Sequence, residues 1–187
     1  MNAIYTNIYQ VLNMTNDEQF EAGLNWYNEA RDYCRMVSIE TNKPFISVCA
    51  ALAALSPRNK WDRNKLDLLE LCKGNKAHKF GTFKAMVNKA NNCLLVDNYQ
   101  DLVNELNGPK IIAFFDNIYN EDSQMVTVDF HMHHIGLGMV LAEDDRPNLS
   151  KAMYDDIQRT IEQIAFNNKL RPYELQAILW VTWRELV

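Results

Sequence analysis

The feature that most constrains this chain is a helical period that breaks only at a few defined points. Over residues 16–40, Phe20, Leu24, Tyr27, Ala30, Cys34 and Val37 fall three or four apart and make one apolar stripe. Thr15 precedes the stretch as a capping residue, with Glu18 three positions on, the spacing of a capping box. Pro44 opens a second helix in its first turn, running to Leu55. Its sequence, FISVCAALAAL, is apolar nearly all round, which predicts a helix at the centre of a domain.

The same period predicts helices over 62–72, 82–93, 100–106 and 110–117, another from near Asp129, and two more over 150–167 and 172–186. Ser56-Pro57 and Gly108-Pro109 interrupt it, because proline cannot continue a helix and glycine turns the chain. Residues 119–125 read as a polar loop, Val126-Thr127-Val128 as a short extended piece, and 143–150 as an acidic, proline-containing connection. The last helix places Leu175, Ile178, Leu179, Thr182 and Trp183 on one side. No repeat, low-complexity tract or long linker divides the chain. The expectation is one all-α domain over 1–187, with eight or nine helices. Only six glycines and five prolines in 187 residues agree with that and count against a sandwich or barrel rich in tight turns.

No stretch approaches the roughly 18 apolar residues of a membrane span, so no membrane partner is expected. The opening MNAIYTNIYQ lacks the basic and apolar regions of a signal peptide. Cys34, Cys49, Cys72 and Cys93 contain no CxxC pair, which argues against a zinc site or iron–sulfur cluster. They read as buried free thiols in a reducing cytosol, and no cofactor is expected.

The formal charge of −5 and pI of about 5.4 speak against a general nucleic-acid binder. That charge is unevenly spread. Residues 58–90 hold nine Lys or Arg against Asp62, Asp67 and Glu70, an excess of six that leaves −11 on the remainder. An acidic protein with one basic region can still hold a polyanion there, although solvated helix faces would give the same count.

Three segments carry most of the chemistry. At Leu106-Asn107-Gly108-Pro109-Lys110 a helix ends, turns and restarts. Such a hairpin leaves backbone N–H groups able to take a phosphate oxygen, or is only a turn. At Val128-Asp129-Phe130-His131 an acid follows a short apolar run. It can cap the next helix, or act in a cleft as a base or as a stabiliser of developing positive charge. At Leu55–Lys65 the loop combines Arg58, Asn59, Lys60 and Trp61. Cations suit phosphates, and Trp61 or Asn59 could fill a gap in a base stack. Trp61 could equally anchor the following helix in the core.

In order and spacing these segments resemble the helix–hairpin–helix/Gly-Pro-Asp superfamily of DNA glycosylases, the group that includes endonuclease III. LSPRNKWDRNK over 55–65 resembles its LSxQ-type loop, and Gly108-Pro109-Lys110 its hairpin with a lysine in the second helix. Val128-Asp129-Phe130-His131 resembles its V-D-x-H segment, with Asp129 lying 19 residues after Lys110. The likeness covers roughly residues 45–140. The hairpin has one glycine, no C-terminal cysteine cluster is present, and a run of histidines stands where an arginine often follows V-D-x-H.

The resemblance implies an all-α glycosylase fold, DNA as partner, and Lys110 and Asp129 as catalytic residues. It implies DNA contacts from Arg58, Asn59, Lys60 and Trp61 and from Asn107 and Gly108. From the histidine run, His133 and His134 are expected to face phosphate, with His131 packed. Asp129 and His133 share a helix face and could ligate a metal, but no metal is expected. The implied reaction is cleavage of the N-glycosidic bond of a flipped base. Lys110 as a free amine would add lyase activity; water as nucleophile would not. Compact phage-encoded members imply a second activity, transfer of an amine or amino acid onto an activated pyrimidine in DNA. A third possibility is a non-catalytic binding or inhibitor protein acting through its acidic remainder.

Overall fold

The computed structural model describes residues 3–141 and 149–187. Among the described residues every regular element is helical: α1 (Ala3–Met14), α2 (Asp17–Thr41), α3 (Phe45–Leu55), α4 (Trp61–Cys72), α5 (Lys84–Cys93), α6 (Tyr99–Leu106), α7 (Pro109–Tyr119), α8 (Phe130–Leu137), α9 (Lys151–Asn167) and α10 (Pro172–Leu186). The fold class is all-α, with ten helices among the described residues where eight or nine were expected. The additional one is α1, whose buried stripe is only Ile4, Ile8 and Val11. Val126–Val128 forms no strand; its side chains are buried, and Tyr154 donates a hydrogen bond to the Val126 carbonyl at 3.1 Å. Most of the acidic connection at 143–150 lies outside the described residues. No described helix is long and apolar enough to cross a membrane.

The contacts group into two compact units, with the boundary between Tyr27 and Asn28 inside α2. The first unit is Met1–Tyr27 with Asp122–Val187. Its core joins Ile8 and Val11 of α1, Met132 and Ile135 of α8, and the apolar faces of α9 and α10. All five residues expected on the inner side of the last helix are buried. Gly23 permits α2 to touch α10, since a Cβ there would sit 2.3 Å from the Ile178 Cα. The capping box at the start of α2 lies one position later than the sequence suggested. Asn16 Oδ1 accepts from the Gln19 amide at 2.8 Å, and Gln19 Oε1 accepts from the Asn16 amide at 3.0 Å. Thr15 instead bonds Thr182 at 2.9 Å.

The second unit is Asn28–Glu121. Its axis is α3, buried at every position from Ser47 to Leu55 and packed against α4, α5, α6 and α7. That follows from a sequence with no polar face to turn outward. All four cysteines are buried, unpaired thiols of this unit. Burial pushes the Cys72 thiol up to about 11 and the Cys93 thiol up to about 12, so neither supplies a thiolate near neutral pH.

Candidate functional site

The hairpin of the second unit joins α6 to α7 through two residues. Asn107 ends α6 in the left-handed region (φ 44°, ψ 80°), a conformation asparagine tolerates better than most residues. Gly108 follows at φ 156°, ψ 131°. A Cβ at Gly108 would meet no neighbouring atom, so the glycine is required by its backbone angles and not by space. Pro109 begins α7, where its missing N–H costs nothing. The first backbone donor into the α7 ladder is Ile112, bonded to the Gly108 carbonyl at 3.0 Å. The amides of Gly108, Lys110 and Ile111 find no acceptor among the described residues. That is the geometry to bind an anion, aided by the helix dipole.

Both hairpin helices end on a cation brought from elsewhere in the unit. Lys89 Nζ donates to the carbonyls of Glu105 and Leu106 at 2.8 and 2.6 Å, closing α6. Arg31, 3% exposed, donates from Nε to the Ile118 carbonyl at 2.8 Å and from a terminal nitrogen to that of Asn117 at 3.2 Å, closing α7. Positive charge at a helix C-terminus is favourable, and these carbonyls have no partner within their own helices. Tyr99 adds a bond to buried Asp116 at 2.9 Å. The hairpin is thus held at both helix ends. Lys110 stands in the first turn of α7, half-buried, and makes no hydrogen bond or ion pair among the described residues.

In the first unit, Asp129 is the N-cap of α8. Its Oδ1 accepts from the Met132 amide at 2.9 Å. Its Oδ2 has no partner among the described residues, so the capping role leaves one carboxylate oxygen for other chemistry. Phe130 beside it is 43% exposed, and its ring lies 3.8 Å from that of His131, centroid to centroid. The expected phosphate-facing role of His133 and His134 is corrected by their position. They are 7% and 3% exposed and lie inside the unit, because α8 is short and turns both toward the core. Burial alone lowers the His133 imidazole from its ordinary value. Among the described residues no group of three or more His, Cys, Asp or Glu is gathered to hold a metal.

The loop before α4 is organised by a residue that the sequence did not single out. The Asp67 side chain is wholly buried, and four donors saturate its carboxylate. Arg63 Nε and His78 Nε2 donate to Oδ1 at 2.9 and 2.7 Å. Asn59 Nδ2 and the Gly81 amide donate to Oδ2 at 2.9 and 2.8 Å. Burial opposes the charge, but the bonds from His78, Gly81, Asn59 and Arg63 outweigh it and hold the carboxyl below its ordinary value. Arg63 also donates to the Lys79 carbonyl, and Thr82 Oγ1 to that of Pro57 at 2.7 Å. Gly81 is needed for this closeness: a Cβ would lie 2.6 Å from Asn59 Oδ1. The visible signal was the Arg63–Asp67 pair at helical spacing; His78 and Gly81 had none.

These bonds correct the expected role of Asn59, whose amide is committed inward. Arg58 is exposed, in the left-handed region (φ 54°), with its guanidinium 5.7 Å from the Phe83 ring centre. Lys60 is the exposed N-cap of α4, and Trp61 is half-buried with Lys65 Nζ 5.7 Å from its ring.

A family profile matches residues 1–186 of the sequence. The chain belongs to the DUF7178 family, a family of unknown function. No curated protein and no solved structure matches it. Among the described residues of this DUF7178 chain, the atoms at the expected positions that make no internal hydrogen bond include Lys60 Nζ, Lys110 Nζ, Asp129 Oδ2 and the hairpin amides.

Proposed function

We propose that this chain is a DNA base-excision enzyme, a glycosylase of the helix–hairpin–helix/Gly-Pro-Asp type with lyase capacity. The observation that carries the reading is the state of Lys110 and Asp129. Each stands at the start of a helix, and each keeps a reactive atom out of any bond among the described residues. The hairpin amides support it, since they suit a DNA phosphate.

The chemistry follows from those atoms. Asp129 Oδ2 stabilises the positive charge that grows on the deoxyribose as the N-glycosidic bond lengthens. The bonding pair leaves with the base, which takes up a proton. Lys110 Nζ, as the free amine, forms the new bond to C1′. Loss of the amine proton and opening of the sugar ring give a Schiff base, which borohydride reduces to a stable amine.

The test is incubation with the native DNA of the protein's host, followed by mass spectrometry of released bases and modified nucleosides, alongside borohydride trapping. The expected outcome is a free base and a trapped protein–DNA adduct. Asp129→Asn slows base release about 10²–10⁴-fold. Lys110→Ala abolishes trapping. Unchanged release and trapping in both variants would remove the assignment. A modified nucleoside in place of a free base would make the chain a transferase acting on DNA.

A further inference from the structure

We propose that residues 56–60 and 79–84 form one binding edge for an unpaired nucleic-acid strand, with buried Asp67 as its positioning residue. The inference concerns the second unit alone and does not depend on Lys110 or Asp129.

Four observations carry it. The two segments are stitched together: Asn59 and Gly81 meet on one oxygen of Asp67, and Thr82 bonds the Pro57 carbonyl. A surface cluster of charges would not need this; here a saturated, fully buried carboxylate holds two loops in register. Second, the stitching presents a ring: Phe83 is 56% exposed, with the Arg58 guanidinium 5.7 Å from its centre. Third, Arg58 holds a left-handed backbone (φ 54°) that a side chain other than glycine seldom adopts. Fourth, the charge is unspent. Lys65 pairs with Asp62, Lys73 with Glu40, and Lys89 closes α6, but the exposed ammonium groups of Lys60, Lys79 and Lys84 meet no acid among the described residues.

An exposed aromatic face among uncompensated cations fits a partner that offers both phosphates and unstacked bases. Bases stack on the ring whatever their identity, and the phosphates meet the lysines. A paired duplex hides its base faces and would use the cations alone. An acidic protein would likewise leave the ring without a role.

The measurement is fluorescence anisotropy of the full chain with a labelled oligothymidylate of about sixteen nucleotides and a duplex of the same length, across a salt series. The single strand is expected to bind more tightly. Phe83→Ala weakens single-strand binding about tenfold and leaves duplex binding nearly unchanged. Lys84→Ala lowers the slope of log affinity against log salt by about 0.7. Asp67→Asn weakens single-strand binding, and in that background Phe83→Ala costs little more, because the ring is no longer held beside the cations. Oligonucleotide binding is read without any released base, so failure of base excision would not touch this result. Tighter or equal duplex binding, no oligonucleotide binding at low salt, or a Phe83→Ala variant indistinguishable from the parent would overturn the proposal. Phe83 and Lys84 are exposed, so these variants decide the matter even if Asp67→Asn does not fold.

Discussion

The edge around Asp67 and the segment around Asp129 are assembled by opposite means. At Asp67 the chain converges on one buried charge, and four donors from α4 and the loops on either side of it define the local shape. At Asp129 the acid sits on top of an apolar unit: Val126, Val128, Met132 and Ile135 are buried beneath, and the carboxylate makes one capping bond. Asp67 is saturated and therefore structural; Asp129 is half-used and therefore available. Two aspartates near helices of similar sequence character thus differ in role because of how many donors the fold brings to each.

The largest break in this comparison is expected from Asp67→Ala. Removing the acceptor leaves a buried amide, an amide N–H, an imidazole and a guanidinium facing one cavity, at a cost of about 3 kcal/mol or more. Hydrogen exchange should show lost protection over residues 73–83 and unchanged protection in α8. Equal loss in both would show that the regions are not independently built.

Next is Arg31→Met, which leaves the carbonyls of Asn117 and Ile118 without their donor and is expected to cost about 2 kcal/mol in chemical denaturation. Then comes Asp129. Alanine should lose about 1 kcal/mol as a helix cap, whereas asparagine, which caps equally well, should lose almost none. Full stability together with lost base release in Asp129→Asn would sharpen the contrast, because it separates the capping oxygen from the chemical one.

The pH dependences are smaller and differ in window. The Asp67 carboxyl is depressed in the folded state, so its stabilisation is present above the ordinary aspartate value of about 3.9 and is lost as pH falls through the lower folded value. His133 is also depressed, by burial, so folding loses stability as pH falls below about 6.5, where the unfolded imidazole takes up a proton first. Urea midpoints at pH 7.5 and 5.5 should therefore differ less in His133→Gln than in the parent. Identical differences would mean that His133 is not the group responsible.

Much of the fold was legible in the order of residues. FISVCAALAAL has no polar face, so α3 had to be central. Gly108-Pro109 could only end one helix and begin another, and Asp129 before a helical run reads as a cap. Helix α1 was legible only in part: Ile4, Ile8 and Val11 keep the helical spacing, but it is the faces of α8, α9 and α10 that decide which side is buried. His133 and His134 misled for the converse reason: a histidine suits water or a phosphate as well as a core, and its surroundings decide.

The sequence by itself determined the helical class, the breaks and the central helix, because period, proline and glycine act through local sterics. The tertiary structure decided which charges are spent. Lys89, Arg31 and Asp67 are ordinary ionic residues in the sequence, and each is committed to a buried or capping bond because distant segments meet there. Burial makes an unpaired charge costly, so the fold satisfies those first, and among the described residues the charges without such a bond include Lys110, one oxygen of Asp129 and the lysines of the basic edge.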